Sequence, residues 1–127
     1  MTNAFLEHVN ITVSDPARTT KMLEDIFGWH IRWSGPSALG GESIHVGTDT
    51  HYIAVYSREK LRTHKMRNGA YVANLNHIAI VVDDLDATEK RVKEAGYEPH
   101  NHADYEPGKR FYFHDHDGIE FEVVNYG

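Results

Sequence analysis

Apolar and polar residues alternate along Leu6-Glu7-His8-Val9-Asn10-Ile11-Thr12-Val13, and the pattern returns 69 residues later as Leu75-Asn76-His77-Ile78-Ala79-Ile80-Val81-Val82. A period of two predicts a strand with one face against a core. Each stretch leads into acidic residues, Asp15 in the first and Asp83-Asp84 in the second, and is followed by helical spacing. After the first, Asp15-Pro16 supplies an N-cap and a proline at the first helical position, where its missing N–H costs nothing. That helix is expected to run through Met22, Leu23 and Ile26 to Gly28, a residue suited to a left-handed cap. After the second, Asp84 or Asp86 caps a helix through Leu85, Val92 and Ala95 to Gly96.

Three further strands are predicted in each half. They are His30–Trp33, Ser43–Val46 and Tyr52–Tyr56, then Tyr97–His100, Arg110–His114 and Ile119–Asn125. Gly35-Pro36, Gly40-Gly41 and Pro107-Gly108 punctuate them. His8 to Ala54 spans 46 residues and His77 to Glu122 spans 45, so register survives a strand, a helix and three more strands. We read this as an internal duplication. The expected fold class is α+β: two tandem βαβββ modules, about 1–57 and 75–127, joined by a linker at about 58–74 within one domain.

Strand parity then selects a face. Val9, Ile11 and Val13 would pack on the first helix, leaving His8, Asn10 and Thr12 opposite. Ile78, Ile80 and Val82 do the same in the repeat, leaving His77. In the last strands Phe121 and Val123 turn inward against Glu120, Glu122 and Val124, and Ile53 and Val55 against Tyr52, Ala54 and Tyr56. His8, His77 and Glu122 thus occupy three of four equivalent places, with Ala54 in the fourth. Two imidazoles and one carboxylate with open positions suit non-haem Fe(II), with Mn(II), Ni(II) or Zn(II) as alternatives. A lone strand histidine is more often a hydrogen-bonded polar residue than a ligand. The coincidence of repeat positions is what favours a metal. Tyr52, Tyr56 and Glu120 share that face as candidates for proton transfer or oxyanion binding, although aromatic residues also suit sheets for packing alone.

Composition narrows the chemistry. The chain of 127 residues has no cysteine, which excludes disulfides, thiolate metal sites and cysteine nucleophiles. Its net charge of −6 disfavours a nucleic-acid partner. One segment departs from this: Ser57–Asn74 sets Arg58, Lys60, Arg62, Lys65 and Arg67 against Glu59, read as a solvated linker or a basic rim for an anionic substrate. No secretory signal or spanning segment is read, so cytoplasm is the expectation and a membrane partner is not. Among ten histidines, His114 and His116 form one H-x-H pair, read as strand end and turn. His100 and His102 form another, placed in a polar loop. Neither a nucleophile elbow nor a phosphate-binding glycine loop occurs.

The segments LEHVNITV, LNHIAIVVDDL and FYFHDHDGIEFEVV resemble the vicinal oxygen chelate superfamily of glyoxalases, bleomycin-resistance proteins and extradiol dioxygenases, and the resemblance covers nearly the whole chain. It implies a half-barrel around a divalent metal, ligands at His8, His77 and Glu122, and a small-molecule substrate bound through vicinal oxygens. Glyoxalase-type members place a fourth ligand where this chain has Ala54, so the ligand count is more like that of an extradiol dioxygenase. A non-catalytic, antibiotic-type binding protein, a glyoxalase-like lyase or isomerase, and a structural or regulatory metal site are the competing readings. The resemblance also implies a homodimer, with sites completed within one chain or between two.

Overall fold

A computed structural model describes residues 3–63, 69–105 and 108–127. His64, Lys65 and Arg67 of the basic segment, and Pro107, lie outside the described residues. The chain divides into two compact units, Met1–Arg62 and Thr63–Gly127. The first holds β1 (His8–Thr12), α1 (Pro16–Phe27), β2 (His30–Pro36), β3 (Glu42–Gly47) and β4 (Tyr52–Tyr56). The second holds β5 (Ile78–Val81), α2 (Leu85–Glu94), β6 (His100–Tyr105), β7 (Gly108–His114) and β8 (Glu120–Asn125).

Each unit is one helix on one four-stranded sheet, in the orders β1-β4-β3-β2 and β5-β8-β7-β6. The first strand pairs parallel with the last, and the remaining pairs are antiparallel. First and last strands therefore lie side by side in each unit, which is what sets a first-strand histidine against the last strand.

The helices form as the sequence predicts. The Asp15 carboxylate accepts from the Arg18 N–H at 3.2 Å, Pro16 opens α1, and Gly28 closes it at φ 69°. Met22, Leu23 and Ile26 are buried from this helix, the last two completely. Removing either leucine or isoleucine side chain to alanine would cost about 2–5 kcal/mol. Asp84 rather than Asp86 caps α2, accepting from the Ala87 N–H at 3.0 Å. Thr88, whose hydroxyl donates to the Asp84 carbonyl at 2.8 Å, and Val92 are its buried residues, whereas Ala95 is exposed. Phe111, Phe113, Phe121 and Val123 complete the second core, and Val46, Ile53 and Val55 the first.

β6 departs from expectation: it begins at His100 rather than ending there. His100 and His102 are strand residues, not loop residues. Asn101 stands at φ 53° beside a bulge between His100 and Ala103. A bulge adds a residue and breaks alternation, so the H-x-H pair does not project to one side. His102 turns to Glu89 of α2 at 2.8 Å, while His100 meets His114 at 3.1 Å.

Candidate metal centre

The register makes the internal duplication geometric. Ala54 pairs with Asn10 and His45, and Glu122 pairs with Ala79 and Tyr112. Ala54 and Glu122 are therefore structural equivalents, as are Tyr52 and Glu120 two residues earlier on the same strands.

In the second unit the last strand meets His77, the residue just before β5, directly. His77 Nε2 lies 3.0 Å from Glu122 Oε1. The Glu122 side chain is only 7% exposed, and Arg110 donates to its other oxygen at 2.8 Å. The Asn76 side-chain oxygen lies 2.7 Å from His77 Nδ1. Both ring nitrogens thus face oxygen acceptors. With Nδ1 engaged by Asn76 and the second carboxylate oxygen by Arg110, Nε2 and Oε1 are the two atoms left facing each other. Two ligands about 2.1 Å from one ion and at right angles stand about 3.0 Å apart. The donor set and its spacing fit a divalent ion held by His77 and Glu122.

Tyr112 completes this group, its ring edge-on to His77 at 5.8 Å. Burial, reinforced by the Glu122 charge, raises the Tyr112 pKa above the usual phenol value. Arg110 carries no signal in the strand pattern beyond parity: it alternates with buried Phe111 and Phe113, on the same side as Tyr112.

The first unit builds the equivalent region from rings. His8 Nδ1 meets the Glu7 carboxylate at 2.9 Å, and this hydrogen bond is the main reason the Glu7 pKa falls below the usual carboxylate value. The two first-strand histidines are thus braced alike, each Nδ1 by the residue before it. His8 stacks on Tyr52 at 4.7 Å, Tyr52 on His45 at 4.5 Å, and Trp33 leans on His45 at 4.9 Å. This row crosses all four strands. A bulge at Arg32 lets that guanidinium also reach the Tyr52 ring, at 4.5 Å. Tyr56 lies apart from the row, with Arg58 5.8 Å from its ring. Ala54, buried, supplies no ligand.

Glu120 is not isolated. It pairs with His114, and the ligand atoms of His100, His114 and Glu120 all lie within 4.8 Å of one another, a group that could hold a metal ion. His116 turns away: its Nδ1 bonds the Tyr97 hydroxyl at 2.8 Å and its side chain is 5% exposed.

The profile of the Glyoxalase/Bleomycin resistance protein/Dioxygenase superfamily matches residues 5–123. The chain belongs to this superfamily. No curated protein sequence matches it. Among solved structures, a glyoxylase/bleomycin resistance protein/dioxygenase domain from Frankia sp. EAN1pec is 21% identical, with a TM-score of 0.84 over 99% of this chain and 94% of that one. The fosfomycin resistance protein FosX of Listeria monocytogenes is 22% identical, with a TM-score of 0.72 over 98% and 94%. A mutant of FosX is known in complex with Mn(II) and 1S,2S-dihydroxypropylphosphonic acid. TnmS3, an antibiotic-binding protein from Streptomyces sp. CB03234, is 15% identical, with a TM-score of 0.75 over 100% and 99%. At these identities the likeness establishes the glyoxalase-like α+β fold. Among the described residues, no helix is long and apolar enough to cross a membrane.

Proposed function

We propose that the protein is a metal-dependent enzyme of the glyoxalase/dioxygenase type, acting on a small molecule through two adjacent oxygens, with His8, His77 and Glu122 as the metal ligands. The observation that carries this reading is the 3.0 Å contact between His77 Nε2 and Glu122 Oε1, with the outer atom of each group already held by Asn76 and Arg110. Fe(II) is the first candidate for a two-histidine, one-carboxylate set, followed by Mn(II), Ni(II) and Zn(II). When bound, such an ion supplies Lewis-acid polarisation of the substrate oxygens.

The protein's own groups have separate tasks. Asn76 holds the His77 ring so that Nε2 presents its lone pair, and Arg110 fixes the Glu122 carboxylate while leaving Oε1 free. Tyr112 stays a phenol and donates a hydrogen bond to a developing oxyanion. Tyr52, Tyr56 and Glu120 remain candidates for proton handling, and a homodimer in the cytoplasm remains part of the proposal. The Mn(II) complex of FosX, whose organic ligand is a vicinal diol, supports the pairing of ion and adjacent oxygens.

A second reading has its own support. The ring row Trp33–His45–Tyr52–His8 suits binding of a flat ligand without turnover, and TnmS3 is a binding protein of this fold. Metal analysis of purified wild-type and His77→Ala protein, after reconstitution with each of the four ions, separates the two. One equivalent of ion bound by wild type and missing from the variant supports the enzyme, and turnover assays with catechols and vicinal diols follow. Wild-type protein that takes up no ion at His77 sinks the enzyme reading and leaves the binder.

A further inference from the structure

We infer that His100, His114 and Glu120 form a second divalent-cation site, separate from the His77–Glu122 pair and on the same face of the second sheet. His100 Nε2 lies 3.1 Å from His114 Nδ1, and Glu120 Oε2 lies 3.6 Å from His114 Nε2 and 3.9 Å from His100 Nε2. The two rings stack at 4.9 Å with only 14° between their planes. The three side chains come from β6, β7 and β8. The bulge after His100 separates that ring from His102, which goes to the helix side. Bulges recur where a side chain must be re-aimed.

The duplication provides an internal control for what the fold itself requires. Trp33 pairs with His45 as His100 pairs with Tyr112, and Gly47 pairs with Tyr52 as His114 pairs with Glu120. The first unit thus places tryptophan, glycine and tyrosine where the second places histidine, histidine and glutamate. A Cβ at Gly47 would strike the His51 carbonyl, whereas the second unit has opened the equivalent place for a full imidazole. The sheet closes without these polar groups, so folding does not demand them. Two imidazoles and a carboxylate select a borderline divalent ion such as Zn(II) or Co(II) and leave positions for water or an anionic ligand group.

The two groups have separate partners: Glu122 is engaged by His77 and Arg110, whereas Glu120 lies against His100 and His114. The inference holds whether or not the His77 site is catalytic.

The test is zinc stoichiometry by equilibrium dialysis, with Co(II) absorbance as a second readout, on wild type, His77→Ala, His114→Ala and Glu120→Gln, each checked by circular dichroism. We expect two equivalents in wild type and one in each of the His77 and His114 variants. Glu120→Gln should weaken one equivalent by about tenfold or more. A His114→Ala protein that is folded and binds zinc as wild type does overturns the site, as does complete loss of zinc in His77→Ala. Should His114→Ala fail to fold, zinc titration of histidine-labelled wild type decides. Shifts of the His100 and His114 ring nitrogens support the site, and their absence rejects it. Loss of the His77 signal response alone would count against the catalytic reading and leave this one standing.

Discussion

Ala54 and Glu122 hold the same place in the two sheets, each paired across to the third strand and to the first, and Glu122 has the Arg110 guanidinium 2.8 Å from its carboxylate. By the same register Ser43 stands where Arg110 does. Ala54→Glu should therefore gain His8 as a partner but leave its second oxygen buried without a cation. We expect its Tm at pH 8 to fall by roughly 10 °C, and Ala54→Glu with Ser43→Arg to recover a substantial part of that loss. Thermal unfolding of the two variants checks this, and an unchanged Tm in the single variant contradicts it.

Asn76 acts on the proposed metal through His77. Asn76→Ala frees Nδ1 to change tautomer, so metal affinity should fall by about 10–100-fold while the bound stoichiometry stays the same at saturating ion. Arg110→Gln should produce a similar loss by releasing Glu122. Competition titration with a coloured chelator measures both. Equal affinity in all three proteins would show that neither neighbour holds a ligand.

Both helices were legible in the sequence because caps and periodicity act locally: Asp15, Pro16 and Gly28 each do what their chemistry requires. The facing of His77 and Glu122 was legible because parity survives duplication. His100 was not, because the turn of β6 depends on Asn101 adopting a positive φ, a state that asparagine tolerates but does not announce. The sequence reading places His100 and His102 together in a polar loop, and only cross-strand register joins His100 to His114. Arg110 enters the sequence reading only as the first residue of the predicted strand Arg110–His114. Its alternation with Phe111 and Phe113 was the available signal, and Glu122 on the next strand is what gives it meaning.

Asp115 is a buried carboxylate in the turn after β7. One oxygen accepts from the Asp117 and Ile119 N–H groups at 2.9 Å each, while the other has no partner. Burial raises its pKa, outweighing those two hydrogen bonds. For an acid raised in the folded state, stability is gained below the unfolded pKa and lost as pH rises through the folded one. Asp115→Asn keeps the accepting oxygen and removes the charge. The variant should be more stable than wild type at pH 7, by roughly 2–6 °C in Tm, and the gap should close on acidification. A variant less stable than wild type at pH 7 would mean that the unpartnered oxygen finds a donor.

His45 carries the opposite sign. It lies between Trp33 and Tyr52, and burial first, then the nearby His8 ring and Arg32 guanidinium, lowers its pKa below the usual imidazole value. A depressed histidine resists protonation in the folded state, so its contribution is fully present above the unfolded pKa near 6.5. That contribution is lost as pH falls through the folded value. Acidification from pH 8 to pH 5 should therefore destabilise wild type more than His45→Phe, which keeps a ring in the row but cannot take up a proton. The comparison is two Tm–pH curves. Parallel curves would show that the row accommodates the imidazolium, and a steeper fall in the phenylalanine variant would reverse the electrostatic assignment for this face.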